Sequence, residues 1–332
     1  MLIKSFVSFC ALLFAVSFGL PSGLAAPGDD LKEGGSTQLS IEALGSDAFG
    51  VWSGGALLVV KDRFSGAPTF SAFDREGKLI SQFTFTIPEA RVHIVFDHDF
   101  ARGADGSLAI VGSAYTADSR GTTFLARVSP DGANQTIVRL SPFDPRAVTV
   151  AMDGTIWVAG FERTEQGQEP DLSQNVIRRY DKTGKLVGSY IPWSSLQVDG
   201  RRRPTDDSIL VSSKDRVGWY SPFAHTYMEF SSDGTLLGRF RTDDRARNIL
   251  LSTALCDDGG LFLEAPINND KGPRHTGFAI YTLDRARGEW SSFARPDEKW
   301  GRLYGCDGTS IASVADLTTI RWLAASSGKT TP

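Results

Sequence analysis

The ten residues Gly103–Gly112, GADGSLAIVG, return almost letter for letter at Ala151–Gly160 as AMDGTIWVAG. A repeat constrains the fold more than composition does, because each unit must bury its apolar face against the next one. The theme recurs as GGALLVV from Gly54, DGSLAIVG from Asp105, DGTIWVAG from Asp153, KDRVGWYS from Lys214, DDGGLFLEA from Asp257 and CDGTSIASVA from Cys306. Each run is short, apolar and bounded by Asp or Gly, which reads as a strand following a tight turn.

A second run follows each of these: TFSAFD, TFLARVS, VIRRYD, YMEFSSD, FAIYTLD and IRWLAAS. A third, such as LISQF, TIVRL or LVGSY, follows across DREG, SPDG, DKTG, SSDG or DRARG. Asp and Gly at these positions favour hairpin reversals. One more strand precedes each first run, clearest in AVTVAM and SILVSS. Each unit therefore has four strands, A to D. Six such units make an all-β chain, a six-bladed β-propeller of four-stranded antiparallel blades.

The sixth unit lacks strand D. At the other end Thr37–Ala43, TQLSIEA, alternates apolar and polar residues and belongs to no other unit. It is expected to supply the missing strand and so to close the last blade from the N-terminus, removing an open edge. The propeller then spans 37–326, with a linker at 26–36 and a polar tail at 327–332. Residues 1–25 read as a secretory signal. Lys4 leads an apolar run, Ser5–Leu20, and Gly23-Leu24-Ala25 offers a cleavage site. A secreted or periplasmic location is expected, with no membrane span in the mature chain. After cleavage Cys256 and Cys306 are the cysteines that remain. They fall just before the turns of adjacent blades and can form one disulfide or stay as two buried thiols.

The third unit, PRAVTVAMDGTIWVAG…NVIRRYDKTGKLVGSYI, resembles the blade of NHL-type six-bladed propellers. The shared features are a Pro entering strand A, a D-x-G turn, a strand rich in Val and Ala, and an Asn-x-x-Ile-like third strand. The likeness is strong over Pro145–Ile191 and persists elsewhere as period alone. It implies fold more than function. Some propellers of this kind are lyases holding zinc with histidines from several A-strand tops. Here the positions matching His98 are Asp47, Arg146, Ser208, Leu251 and Trp300, and none is His. Others are calcium-dependent lactonases. INND, Ile267–Asp270, offers oxygen ligands, but from one loop.

Antiparallel order puts the A–B and C–D turns on one face, and these are uniformly short. The B–C and D–A connections share the other face and are long and varied, as in FERTEQGQEPDLSQ and IPWSSLQVDGRRRPTDD. Long loops on a rigid scaffold are where binding resides. His93, His98, His225 and His275 all fall on that face. Asp97, His98 and Asp99 in HIVFDHDF are candidate metal ligands, although Asp97 and Asp99 share one side of a strand and His98 takes the other. Channel-mouth candidates are Asp97, His98, Arg146, Asp207 and Trp300. Arg201, Arg202 and Arg203 could receive a carboxylate or phosphate, or be neutralised by Asp206 and Asp207.

The formal charge is −4, and the only basic run is Arg201–Arg203. That excludes the basic stripe nucleic acid requires. No Gly-x-Ser-x-Gly elbow, P-loop or Cys-x-x-Cys occurs. The reading is an exported monomer binding a peptide, protein or small ligand on its loop-rich face, with no cofactor. The alternative is a calcium- or zinc-dependent hydrolase or lyase with its site at the central channel.

Overall fold

The computed structural model describes residues 31–39, 49–95, 99–118, 121–164, 171–198, 202–242, 252–268, 275–294, 301–314 and 318–325. Strand β1 (Leu31–Gln38) opens the chain. Blade one is β2 (Phe49–Ser53), β3 (Ala56–Lys61), β4 (Thr69–Phe73) and β5 (Leu79–Thr84). Blade two has a divided inner strand, β6 (Ala90–His93) and β7 (Phe100–Arg102), both paired with β8 (Leu108–Thr116); β9 (Gly121–Val128) and β10 (Gln135–Arg139) complete it. Blade three is β11 (Phe143–Val150), β12 (Ile156–Glu162), β13 (Asn175–Tyr180) and β14 (Leu186–Pro192). Blade four is β15 (Ile209–Ser212), β16 (Arg216–Ser221), β17 (Thr226–Ser231) and β18 (Leu236–Arg241). Blade five is β19 (Ser252–Leu255), β20 (Leu261–Asn268), β21 (His275–Asp284) and β22 (Glu289–Ala294). Blade six is β23 (Arg302–Asp307), β24 (Ser310–Val314), β25 (Thr319–Ala325) and β1.

Inner strands meet around an axis: β2 touches β7, then β11, β15, β19 and β23 follow in turn, and β23 returns to β2. The chain is therefore a closed six-bladed propeller. Burial follows position in the blade. β3 is buried along nearly its whole length, whereas the outermost strands β5 and β18 leave alternate residues in water. The core lies between blades. Trp157 of blade three stacks on Tyr190 at 5.2 Å and meets Phe230 of blade four at 5.4 Å.

The repeated lettering has a local cause. Asp153 Oδ1 accepts the Thr155 N–H at 2.9 Å, and Asp105 does the same for Ser107 at 3.0 Å. The Asp thus closes the A–B turn with its own side chain. Gly160, within the strand that follows, is held to glycine because a Cβ there would lie 2.4 Å from the Asp144 carbonyl oxygen of the inner strand. In the C–D turn of blade three, Gly184 has φ +85, and a Cβ would lie 2.5 Å from Val138 of blade two. That glycine serves both the turn and the approach of neighbouring blades.

The closing strand lies further towards the N-terminus than its alternation suggested. β1 starts at Leu31, not Thr37, and pairs antiparallel with β25 from Leu31↔Ala325 to Gln38↔Thr319. The linker drawn at 26–36 thus contains most of the strand, and residues 40–43 lie outside the described part. β1 reads LKEGGSTQ and buries only Leu31 well. It is held by backbone pairing, by Arg321 on Glu33 at 3.0 Å and by Trp322 Nε1 on Thr37 at 2.9 Å. Two connections are also shorter than expected. Of the stretch SAYTADSRG, strand covers 113–116 and residue 121. β20 runs through Pro266 to Asn268, which pairs with His275.

Blades are joined by specific polar links. Arg75 of blade one pairs with Asp307 of blade six at 2.5 Å and lies over the Trp322 ring at 4.3 Å. Glu229 of blade four is buried, and Arg285 of blade five reaches both its oxygens, at 2.8 and 2.5 Å. Tyr227 donates to the same carboxylate at 2.9 Å, and Arg216 lies 3.3 Å away. Burial alone would raise the pKa of Glu229. The hydrogen bonds and charge of Arg285, together with the Tyr227 hydroxyl and the charge of Arg216, outweigh it and hold the group below the usual range. Cys256 and Cys306 form a disulfide between blades five and six, their Cα atoms 5.1 Å apart. Adjacent inner strands therefore come close enough for the bond at this point.

Replacing both cysteines by Ser should lower the unfolding free energy by up to about 4 kcal/mol, the loop-entropy value for the separation of 50 residues; urea denaturation with and without reductant measures it. Arg285→Ala leaves Glu229 buried with weaker partners and should cost about 3 kcal/mol at neutral pH. Because the folded pKa of Glu229 is depressed, its contribution is full above the ordinary glutamate pKa and is lost as pH falls through the folded value. Arg285→Ala should flatten that acid limb, which thermal unfolding followed from neutral pH to about pH 3 would reveal.

Candidate functional site

The axis holds a cavity of about 90 Å³. All six inner strands line it, through Val51, Ala101, Thr149, Ser212, Thr253 and Tyr304 among others. Every described lining residue is uncharged. Among the described residues, no group of three or more His, Cys, Asp or Glu could hold a metal ion. Asp99, one expected ligand, is buried in the break between β6 and β7 and accepts the Val95 N–H at 3.0 Å. Asp97, His98, Trp300, Asp47, Leu251 and Arg201 lie outside the described residues. Ser208 is buried just ahead of β15. Asp207 sits at an exposed turn with φ +52.

Arg146 leaves the axis. β11 carries a bulge between Pro145 and Ala147: Pro145 faces Gly160, Ala147 faces Ala159, and Arg146 is the extra residue. A bulge re-aims a side chain and admits a proline that a regular ladder would refuse. Arg146 thereby lines a second pocket of about 280 Å³ with Asp144, Phe161, Glu162, Arg163, Thr164, Trp193 and Arg203. The pocket opens on the face of the B–C and D–A connections. Its residues come from the entry of strand A, the exit of strand B, the short helical turn Trp193–Ser195 and the loop leading to blade four.

Its electrostatics centre on Asp144, which is nearly buried. Arg146 Nη2 and Arg163 Nε both donate to the same oxygen, Oδ2, each at 2.9 Å. The hydrogen bond to Asp144 raises the pKa of Arg163, so that guanidinium stays charged throughout the working range of a protein. Glu162 is engaged by Arg178, whose guanidinium lies 4.0 Å from the Phe143 ring. Arg203 lies 3.9 Å over the Phe161 ring, and Arg146 lies 5.2 Å from the same ring. Asp206 does not neutralise Arg203: it accepts the backbone N–H of that residue at 3.1 Å. No described carboxylate pairs with the Arg203 guanidinium. Arg202 lies over Phe223 at 5.0 Å, away from the pocket.

The remaining candidates are dispersed. His93 lies tilted against Tyr115, ring centres 5.0 Å apart, on the extended hairpin of blade two. His225 occupies the B–C turn of blade four with φ +45. His275 opens β21, and its side chain lies outside the described part. Thus Arg146 and Arg203, separate expectations in the sequence, come together. Asp144, Phe161, Glu162, Arg163 and Trp193 were not foreseen. The available signal was FERT at the end of the second strand, where the polar exit of a strand B meets the entry of its strand A.

No protein-family model matches the chain, and no curated protein matches it in sequence. Solved structures do resemble it. A Bacteroides fragilis protein described as exported superimposes with a TM-score of 0.54 at 12% identity, over 87% of this chain and 85% of its own. A member of the DUF4221 family from Bacteroides vulgatus gives 0.50 at 10% identity, over 89% and 97%. Virginiamycin B lyase from Staphylococcus aureus gives 0.45 at 14% identity, over 89% and 99%. At these identities the likeness is one of fold and transfers no activity.

Proposed function

We propose that this chain is an exported propeller that binds a small ligand on its loop-rich face, in the blade-three pocket. The observation that carries this reading is the convergence of Arg146, Arg163 and Arg203 on Asp144 and Phe161 around an open volume of about 280 Å³. That volume lies just under the range of sites for drug-sized molecules, so it suits a small metabolite or one side chain of a peptide. Aromatic walls with a few convergent polar groups are the usual composition of such sites. The axial cavity, with uncharged described walls, offers less for catalysis. Export rests on residues 1–25, with the apolar run Ser5–Leu20 behind Lys4. No helix among the described residues is long and apolar enough to cross a membrane.

N-terminal sequencing of the protein recovered from outside the cytoplasm should read from Ala26. A thermal-shift screen of small metabolites tests the site. Stabilising compounds should lose their effect in Thr164→Trp, which fills the pocket from an exposed position, and keep it in Thr253→Val, which alters only the axial cavity. Effects lost in Thr253→Val and kept in Thr164→Trp would overturn the assignment. So would stoichiometric calcium or zinc accompanied by hydrolytic or lyase turnover.

A further inference from the structure

The geometry points to a narrower ligand class, and we propose that the blade-three pocket takes a compact dianion, either two carboxylates or one phosphate on a small organic molecule. This rests on the reading that the loop-rich face binds ligand. Charge is the first argument. Arg146, Arg163, Arg178 and Arg203 stand against Asp144 and Glu162. Four positive and two negative groups leave two positive charges without a salt-bridge partner among the described residues. Pairing removes Glu162 with Arg178 and one of the two arginines on Asp144. What remains is one guanidinium equivalent at Asp144 and the whole of Arg203.

Donor geometry is the second argument. Asp144 uses a single oxygen for Arg146 and Arg163. Most N–H groups of both guanidiniums are therefore not spent on it. Arg203 lies with its guanidinium over the Phe161 ring, 3.9 Å from its centre. Contact with the ring face leaves its donor edge available, and planar forks of this kind match carboxylate and phosphate oxygens two at a time. Asp144 acts as an organiser. It holds two arginines in one place without cancelling them, and its burial keeps it from reaching further.

Shape is the third argument. Phe161 and Trp193 supply an apolar wall for the carbon portion of the ligand. The volume of about 280 Å³ accommodates a short-chain molecule. Because all the cationic groups are guanidiniums, the positive charge does not titrate near neutrality. Affinity should stay flat with pH until the ligand itself gains a proton.

Isothermal titration of the purified exported chain with succinate, inorganic phosphate and glycerol 3-phosphate tests this, with succinamide as the neutral control. At least one dianion should bind with a dissociation constant below about 1 mM and weaken as salt is raised. Which dianion binds separates carboxylate from phosphate recognition. Arg203→Gln and Arg163→Gln should each weaken it about tenfold, and Arg203→Lys should fail to restore it fully. Both side chains are largely solvent-facing, so an unchanged thermal midpoint without ligand shows that the variants fold. Succinamide binding as well as succinate would overturn the proposal. So would the absence of any dianion binding at about 10 mM, or binding unchanged in Arg203→Gln. If dianions fail while Thr164→Trp still abolishes the effect of a neutral compound, the pocket stands as a ligand site and the dianion assignment falls.

Discussion

Everything in this molecule depends on the pairing of β1 with β25. A propeller blade buries its faces only against its neighbours, so a ring with a gap leaves two sheets half wet. Here the gap is closed by a strand that arrives from the far end of the chain and pairs along seven registered positions in blade six. Its side chains contribute little apolar burial. The closure is carried by backbone hydrogen bonds and by a few side-chain clasps, Glu33 with Arg321 and Thr37 with Trp322. The edge so covered is one that would otherwise invite pairing with another chain.

Once the ring is closed, the blades press on one another through two kinds of contact. Aromatic side chains such as Trp157, Tyr190 and Phe230 fill the wedge between sheets. On the short-turn side, arginines reach from one blade to acceptors in the next, and Arg285 with Glu229 is the most buried case. The disulfide adds a covalent tie between blades five and six. These links make the short-turn face a rigid base. The opposite face is thereby free to vary in loop length and lettering without loss of the ring.

Blade three shows how a site grows on such a base. A single extra residue in β11 turns Arg146 away from the ladder. Gly160, directly across, lets the inner strand come close at that point. Asp144 then holds Arg146 and the strand-exit residue Arg163 together, and the connection to blade four lays Arg203 across Phe161. None of these residues is remarkable alone; their proximity is what gives them chemistry.

The amino-acid sequence determined by itself whatever is local. Asp-Gly turns close through the Asp side chain, so their rhythm declares the hairpins. Apolar strands B and C are buried on both faces, so their runs are visible. Six such units, and which side carries the long connections, follow from that rhythm. The closing strand begins six residues ahead of the expected one because an outermost strand needs no apolar alternation: LKEGGSTQ pairs, while the more strand-like TQLSIEA contributes only its first two residues to β1. The site was legible only in part. Arg146 and Arg201–Arg203 stood out as charge, but the bulge at Pro145–Ala147 and the fall of Arg203 onto Phe161 depend on register and on the meeting of blades. Tertiary structure alone decided them, because hydrogen-bond register and inter-blade packing are set by contacts between residues far apart in the chain.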